Sequence, residues 1–252
     1  MLERVKIVLK SGKEQSLRRF HPWVFSGAIK KMYGNPAEGD LVDVYDNKDN
    51  YLAVGHYAPS SIAVRVLSFE RITPDINFFR QKIERAIAYR KAIGIIDNDQ
   101  INVFRLVHGE GDGLPGLIVD YYNGVAVMQM HSLGFYRLRK EIASILAELL
   151  NDRIIAVYDK SEGTIPHMSG VTATNEFLYG NSDPVIVTEN GYKFKIDWTT
   201  GQKTGFFIDQ RENRKLLESY TNERIVLNMF GYTGAFSVYA MKNASVVHTV
   251  DS

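Results

Sequence analysis

The chain has 252 residues, and its 30 Lys and Arg against 29 Asp and Glu give a formal net charge of +1. At 45% hydrophobic and 23% charged residues it has a globular composition and not that of a disordered chain; at roughly 150 residues per domain its length allows one to three domains. The absence of cysteine excludes disulfides, thiolate metal sites and a cysteine nucleophile within these residues, and fits a reducing compartment.

The N-terminal stretch MLERVKIVLKSGKEQSL shows no signal-peptide pattern, and no apolar run approaches the ~18 residues of a membrane span. No membrane partner is therefore expected. Short apolar stretches at Val5–Leu9, Leu41–Tyr45, Leu52–Gly55 and Ile62–Leu67 alternate with turn residues, which predicts a small β-barrel or sandwich over residues 1–73. Up to Lys31 there are eight basic residues against two acidic ones. This is either ordinary surface charge or a phosphate-facing strip in which Arg18, Arg19, Lys30 and Lys31 make sequence-independent contacts.

From Thr73-Pro74-Asp75 the pattern turns helical, with Pro74 expected at the first helical position, Ile76, Phe79, Ile83 and Ile87 on one face, and Gly94 as the stop. Val103–Val107, Leu117–Val119 and Val125–Met130 read as strands. Leu138, Ile142, Ile145 and Leu149 mark a second amphipathic helix, and Ile154–Tyr158 returns to strand. This predicts a central α+β domain over residues 74–184. Beyond Pro184, Val185–Thr188 and Tyr192–Ile196 flank Asn190-Gly191, a hairpin signal. A helix over Asp209–Tyr220, a strand over Ile225–Met229, a helix over Phe236–Met241 and a strand over Val246–Val250 complete a β-α-β opening over 185–252. An open doubly wound sheet needs about five strands, so the chain is expected to be a piece of a longer polypeptide.

Two segments carry chemistry. In Asn228–Phe236 glycines lie in the turn from strand to helix, and Asp251 ends the next strand, twenty residues past Gly231. A glycine there lets backbone approach a ligand, and an acid at the following strand end can accept both ribose hydroxyls. Only Gly231 and Gly234 are present, so the GxGxxG dinucleotide fingerprint is incomplete, which favours a nucleoside without a pyrophosphate over NAD. The plain alternative is a turn and a helix cap. The second segment, Gly201–Arg214, places two glycines, polar side chains and Phe206-Phe207 before a helix; it reads as a ligand-lining loop or as a loop capped by Asp209.

The runs GQKTGFFIDQRENR, VLNMFGYTGAFSVYA and VDS, with RFHPWVFSGAI from Arg19 and HGEGDGLPGLIVD from His108, resemble the S-adenosylmethionine-dependent large-subunit ribosomal RNA methyltransferases, a three-part family whose best-known member makes 5-methylcytosine in 23S RNA. The resemblance implies an N-terminal PUA domain, a central strand-strand-helix-strand-strand domain and a Rossmann-like methyltransferase domain. It implies that Gln202, Thr204, Phe207, Gln210 and Arg211 help hold S-adenosylmethionine. Phe230, Tyr232, Thr233, Gly234 and Phe236 match its motif around the cofactor, and Asp251 matches its ribose-binding acid. It further implies 23S ribosomal RNA as partner, a cytoplasmic location and room for a homodimer.

The remaining features have plainer readings beside functional ones. Trp23 and Phe25 either stack on unpaired bases or belong to the barrel core. His21 is a turn residue or a catalytic group. His108, Glu110 and Asp112 could hold a metal, but GEGDGLPG reads better as a tight turn, so no metal site is expected. His167 has no partner in the pattern. Methylation at cytosine carbon 5 uses covalent addition at carbon 6, usually by a thiolate, and no cysteine is present. The acidic or amide residue followed by two prolines, common in such enzymes, is also missing, since the seven prolines include no Pro-Pro pair. The catalytic residues are therefore expected after Ser252, and these residues alone are expected not to methylate RNA. A guanine nitrogen is the alternative target, and a non-catalytic RNA-binding or ribosome-assembly protein the alternative class. A nicotinamide-dependent oxidoreductase fails on the incomplete glycine fingerprint.

Overall fold

The N-terminal alternation resolves into β1 (Val5–Leu9), β2 (Trp23–Phe25), β3 (Ile29–Tyr33), β4 (Leu41–Tyr45), β5 (Tyr51–Tyr57) and β6 (Ile62–Ser68), with a single helical turn α1 (Gln15–Arg18). This computed structural model describes residues 4–165 and 170–251; His167 lies outside them. The strands form one sheet in the order β2-β6-β5-β4-β1-β3, in which β1 and β4 are parallel and the other pairs antiparallel. Ile7, Leu9, Leu17, Val24, Val42, Val44, Ala53, Val64 and Val66 close on one core. Strands β2 and β3 were not legible in the pattern: β2 has three residues, and Lys30-Lys31 breaks the alternation of β3.

Helix α2 (Ile76–Ala92) begins two residues later than expected. Asp75 is the N-cap and its carboxylate accepts from the Phe78 amide at 2.9 Å, so Pro74 precedes the cap. Then follow β7 (Val103–His108), β8 (Leu117–Tyr122), β9 (Val125–Met130), α3 (Leu133–Arg137), α4 (Arg139–Leu150), β10 (Ala156–Asp159) and β11 (Glu176–Gly180). The sheet order is β11-β10-β9-β8-β7; the α3–α4 crossover joins the parallel pair β9 and β10, and the other pairs are antiparallel. The strand-strand-helix-strand-strand order is thus corrected by one strand, β9, which is buried along its whole length.

That burial follows from cover on both faces. Phe79, Ile83, Leu106, Val119, Met128, Ile142, Leu146 and Val157 pack α2 and α4 on one face. On the other, Val103, Tyr122, Val125, Val127, Ala156 and Tyr158 share a core with β12 (Val185–Glu189), β13 (Tyr192–Ile196), Trp198, Phe206 and Ile208. Asn190 and Gly191 turn the β12–β13 hairpin with φ of 50° and 83°, as a type I′ turn requires. The chain continues through α5 (Arg211–Glu218), β14 (Ile225–Met229), α6 (Ala235–Ala240) and β15 (Val246–Val250). Strands β14 and β15 form a separate parallel pair. Among the described residues no helix is long and apolar enough to cross a membrane.

The N-terminal sheet is docked on the central one. Leu67 joins the central core, the His56 ring meets Phe135 edge-on at 5.4 Å, and Arg137 bonds Asp40 at 3.2 Å. A Cβ at Gly134 would lie 2.3 Å from the His56 ring, so this approach requires glycine. Burial, reinforced by the nearby Arg137 and Arg65, pushes the His56 pKa from 6.5 down to about 4. The unfolded chain therefore takes up this proton first, and His56 removes stability as pH falls below 6.5 until about 4. The full gap is worth up to about 3 kcal/mol. Urea midpoints at about pH 7 and about pH 4.5 are expected to fall further for the wild type than for His56→Gln. Equal falls would refute this origin.

Candidate cofactor site

The chain from Gly201 to Arg211 crosses the central sheet strand by strand. Lys160, just past β10, donates its ammonium to the Gly201 carbonyl, and burial lowers its pKa. On β9, Gln129 Nε2 donates to the Lys203 carbonyl at 3.2 Å. On β8, the Thr204 hydroxyl donates to Asp120 at 2.6 Å and lies 2.8 Å from the Tyr122 hydroxyl. On β7, Arg211 Nη1 points at the Val103 carbonyl at 3.5 Å. Asp120 is fully buried and is also held by Arg105 Nε at 2.9 Å. Periodicity could not reveal these anchors: Asp120, Gln129 and Lys160 sit in or beside strands whose apolar pattern hides them. The one signal that could have pointed to them is a carboxylate, Asp120, at the end of the apolar run Leu117–Val119.

A second segment meets this loop. Between β14 and α6, Phe230, Tyr232 and Gly234 all take left-handed backbone, with φ of 59°, 50° and 71°. Two aromatic residues in that region store strain of the kind found at ligand sites. A Cβ at Gly231 would lie 2.5 Å from the Thr249 methyl on β15, so this glycine lets the turn close over the neighbouring strand. The Tyr232 hydroxyl ties the segments together: it accepts from the Gln202 amide at 2.8 Å and donates to the Gly205 carbonyl at 3.2 Å. The rings of Phe207 and Tyr232 meet edge-on at 5.4 Å. Asp251, just past β15, accepts the Tyr232 amide. The loop, the turn and the acid thus converge at the carboxyl ends of a parallel pair, where open α/β sheets bind ligands.

Of the sequence-predicted residues, Gln202, Phe207, Tyr232 and Asp251 are brought together here. Phe230 is 84% exposed in the same turn, Thr233 is exposed, and Gly234 leads into α6. Thr204 is buried and its hydroxyl is engaged by the central sheet. The Gln210 amide is shared with Asp209 and Asn213, and Phe236 packs 5.9 Å from the Arg214 guanidinium.

The predicted RNA contacts are spread out. Arg18 pairs with Asp46 at 3.0 Å, and Arg19 is exposed at the end of α1. Lys30 and Lys31 are exposed on the edge strand β3, with Lys31 4.5 Å over Tyr33. Trp23 is only half-buried, and Phe25 is 48% exposed, so neither completes the barrel core. The Trp23 indole instead donates to Glu110 at 2.8 Å across the docking junction. Glu110 lies in the helical turn Gly109–Asp112, and Asp112 receives the buried Arg90 at 2.5 and 2.8 Å. These carboxylates hold the fold, and no metal-binding cluster occurs among the described residues.

Comparison with known proteins finds two family models, the second of which runs across the boundary placed at residues 184 and 185. Residues 7–69 match a family model described as a PUA-like domain, and residues 104–252 match one described as S-adenosylmethionine-dependent methyltransferase. The protein named ribosomal RNA large subunit methyltransferase I from Pseudoalteromonas translucida is 38% identical over 240 residues, covering 94% of this chain and 60% of that relative. The protein of the same name from Yersinia pseudotuberculosis is 36% identical, covering 98% and 63%. The chain thus spans about three fifths of the length of these curated relatives. A Streptococcus mutans structure ascribed to the SAM-dependent methyltransferases superposes with a TM-score of 0.82 at 24% identity, over 98% of this chain and 63% of that one. A methyltransferase structure complexed with SAH gives the same TM-score at 23% identity, over 98% and 62%. These two structures establish likeness of fold.

Proposed function

The chain belongs to the S-adenosylmethionine-dependent methyltransferase family, and from that premise we propose that it is the cofactor-holding and RNA-docking part of an enzyme that methylates a base of large-subunit (23S) ribosomal RNA. The observation that carries this is the junction of three parts: Asp251 beside the Phe230–Gly234 turn, and the Tyr232 hydroxyl bridging that turn to the Gly201–Arg211 loop. The donor set fits a nucleoside: a carboxylate for two ribose hydroxyls, the exposed Phe230 ring for an adenine face, and backbone free of a pyrophosphate cradle. When bound, S-adenosylmethionine supplies an electrophilic methyl group on a sulfonium. The chain's part is to fix orientation, because in-line transfer requires the acceptor at near-attack distance. Asp251 anchors the ribose end, and the Gln202–Arg211 loop, held rigid by the central sheet, borders the methionine end.

The parallel pair β14–β15 is, in this reading, the opening of a larger parallel sheet. Ile225, Leu227 and Met229, with Val246 and Val250 beside them, present one exposed apolar face, and parallel sheets bury both. Cytosine carbon 5 is the proposed target. A guanine nitrogen is the second reading, favoured by one observation: it needs no covalent thiolate, and these residues contain no cysteine.

Titration calorimetry with S-adenosylmethionine and with NAD tests the proposal. Saturable one-site binding of the former alone is expected. Binding of NAD and not of S-adenosylmethionine would overturn it. With the longer enzyme of which this chain is proposed to be a part, transfer of labelled methyl groups from S-adenosylmethionine to unmodified ribosomal RNA, followed by nucleoside analysis, separates the two target bases.

A further inference from the structure

Where the N-terminal sheet, the ends of the central strands and the cofactor loop meet, two cations, Arg65 and Lys203, come together beside the imidazole of His131. Arg65 on β6 lies opposite Trp23 in the β2–β6 register. Its side chain passes over the β7–β8 connection, with Cδ 3.5 Å from where a Cβ at Gly116 would sit. Gly116 accepts the His131 amide at 2.8 Å, which fixes the end of β9 beside it. Two residues back on β9, Gln129 holds the Lys203 carbonyl and presents that lysine from the loop. His131 and Lys203 are exposed and Arg65 is half-buried. The pKa of His131 is lowered by burial and then by Arg65, Lys203 and Arg105, with Glu110 opposing. Glu110, which also accepts the Trp23 indole, and Glu38 act on the charge of Arg65 from a distance, and none of Arg65, His131 and Lys203 has a side-chain ion pair among the described residues. Arg65 and Lys203 both act on His131, so an anion placed between them would meet two cations and an imidazole donor.

We propose that Arg65, His131 and Lys203 form a phosphodiester-binding site for single-stranded RNA that sets the distance between the docked strand and the cofactor. This rests on the reading of the chain as an RNA methyltransferase. Lys203 belongs to both sites: its backbone is part of the cofactor loop and its charge acts on His131. A phosphate gripped there lies beside the loop, within reach of a nucleotide turned out of its stack toward the cofactor. Arg and Lys suit this task because phosphate contact needs charge and donors, and no sequence readout.

The test is fluorescence anisotropy of a labelled single-stranded RNA oligonucleotide of mixed sequence, titrated with the whole protein at several salt concentrations. Each lost phosphate contact lowers the slope of log K against log salt by about 0.7, which is about a fivefold loss at ~0.1 M salt relative to 1 M. Arg65→Gln and Lys203→Gln are each expected to show that change. Glu110→Gln keeps an acceptor for the Trp23 indole while removing the opposing charge, and is expected to tighten binding. A purely structural role for Arg65 would not produce these opposite signs. S-adenosylmethionine binding by Arg65→Gln is expected at wild-type affinity, which reports an intact fold. Wild-type slopes in both cation variants would overturn this site alone. Absence of RNA binding by the wild type would overturn the functional reading with it.

Discussion

Replacing Glu189 by Ala is expected to cost about 3–5 kcal/mol of folding stability, the range for removing one partner of a buried ion pair. Glu189 ends β12 with no exposed surface, and Arg214 on α5 is 1% exposed. The pair is bidentate: Arg214 Nε and Nη2 each reach a Glu189 oxygen at 2.8 Å. The Tyr239 hydroxyl donates to the same carboxylate at 3.1 Å, and Arg214 Nη1 donates to the Phe207 carbonyl at 3.0 Å. One ion pair therefore joins the hairpin, α5, α6 and the cofactor loop. Without the carboxylate the guanidinium stays buried, stacked 4.6 Å from Phe206, with its charge uncompensated. Urea unfolding should show a lower midpoint at unchanged slope. The double replacement Glu189→Leu with Arg214→Met is expected to recover most of the loss, because the penalty lies in the stranded charge. A loss below about 1 kcal/mol in Glu189→Ala would mean that water reaches the site.

The pair illustrates what a sequence displays and what it withholds. Strands β1, β9, β13, β14 and β15 were legible to the residue because their apolar runs are bounded by turn residues. The Asn190-Gly191 hairpin was legible for a local reason, the left-handed backbone of its turn. Glu189 gave no signal: it sits one position before that turn, where a surface carboxylate is ordinary, and its partner lies twenty-five residues away. The same holds for the seat of the cofactor loop. The density of polar groups in Gly201–Arg211 suggested a ligand, yet Thr204 spends its hydroxyl on Asp120, eighty-four residues earlier. Burial of Phe206 and exposure of Phe230 likewise depend on which sheet lies beneath each, which neither residue type nor spacing encodes. Motif resemblance singled out the two segments proposed to hold the cofactor; the contacts that join them are tertiary and had to be seen.

Asp251→Ala is expected to weaken S-adenosylmethionine binding by about 10- to 100-fold. Hydrogen bonds to a charged group contribute roughly 1.5–3 kcal/mol, and every 1.4 kcal/mol is about tenfold in affinity. The side chain has two tasks that a single variant would confuse. It accepts the Tyr232 amide within the protein, and in the proposed complex it accepts ribose hydroxyls. Asp251→Asn separates them, since the amide oxygen can still accept from Tyr232 while the charge and one acceptor are gone. If the acid serves the ribose, Asn should fall between wild type and Ala in affinity and match wild type in urea midpoint. If it only fastens the turn, both variants should bind S-adenosylmethionine as the wild type does, and only the Ala variant should lose stability. Tyr232→Phe completes the comparison. It keeps the ring against Phe207 but removes the hydroxyl that joins Gln202 to Gly205, so it should weaken binding by loosening the loop while Asp251 stays in place. Because the Ala and Phe variants act through the same turn, their combined effect should be smaller than the sum of the two, the signature of coupled residues. Strict additivity would place the acid and the tyrosine in separate sites and break the junction on which the functional reading depends.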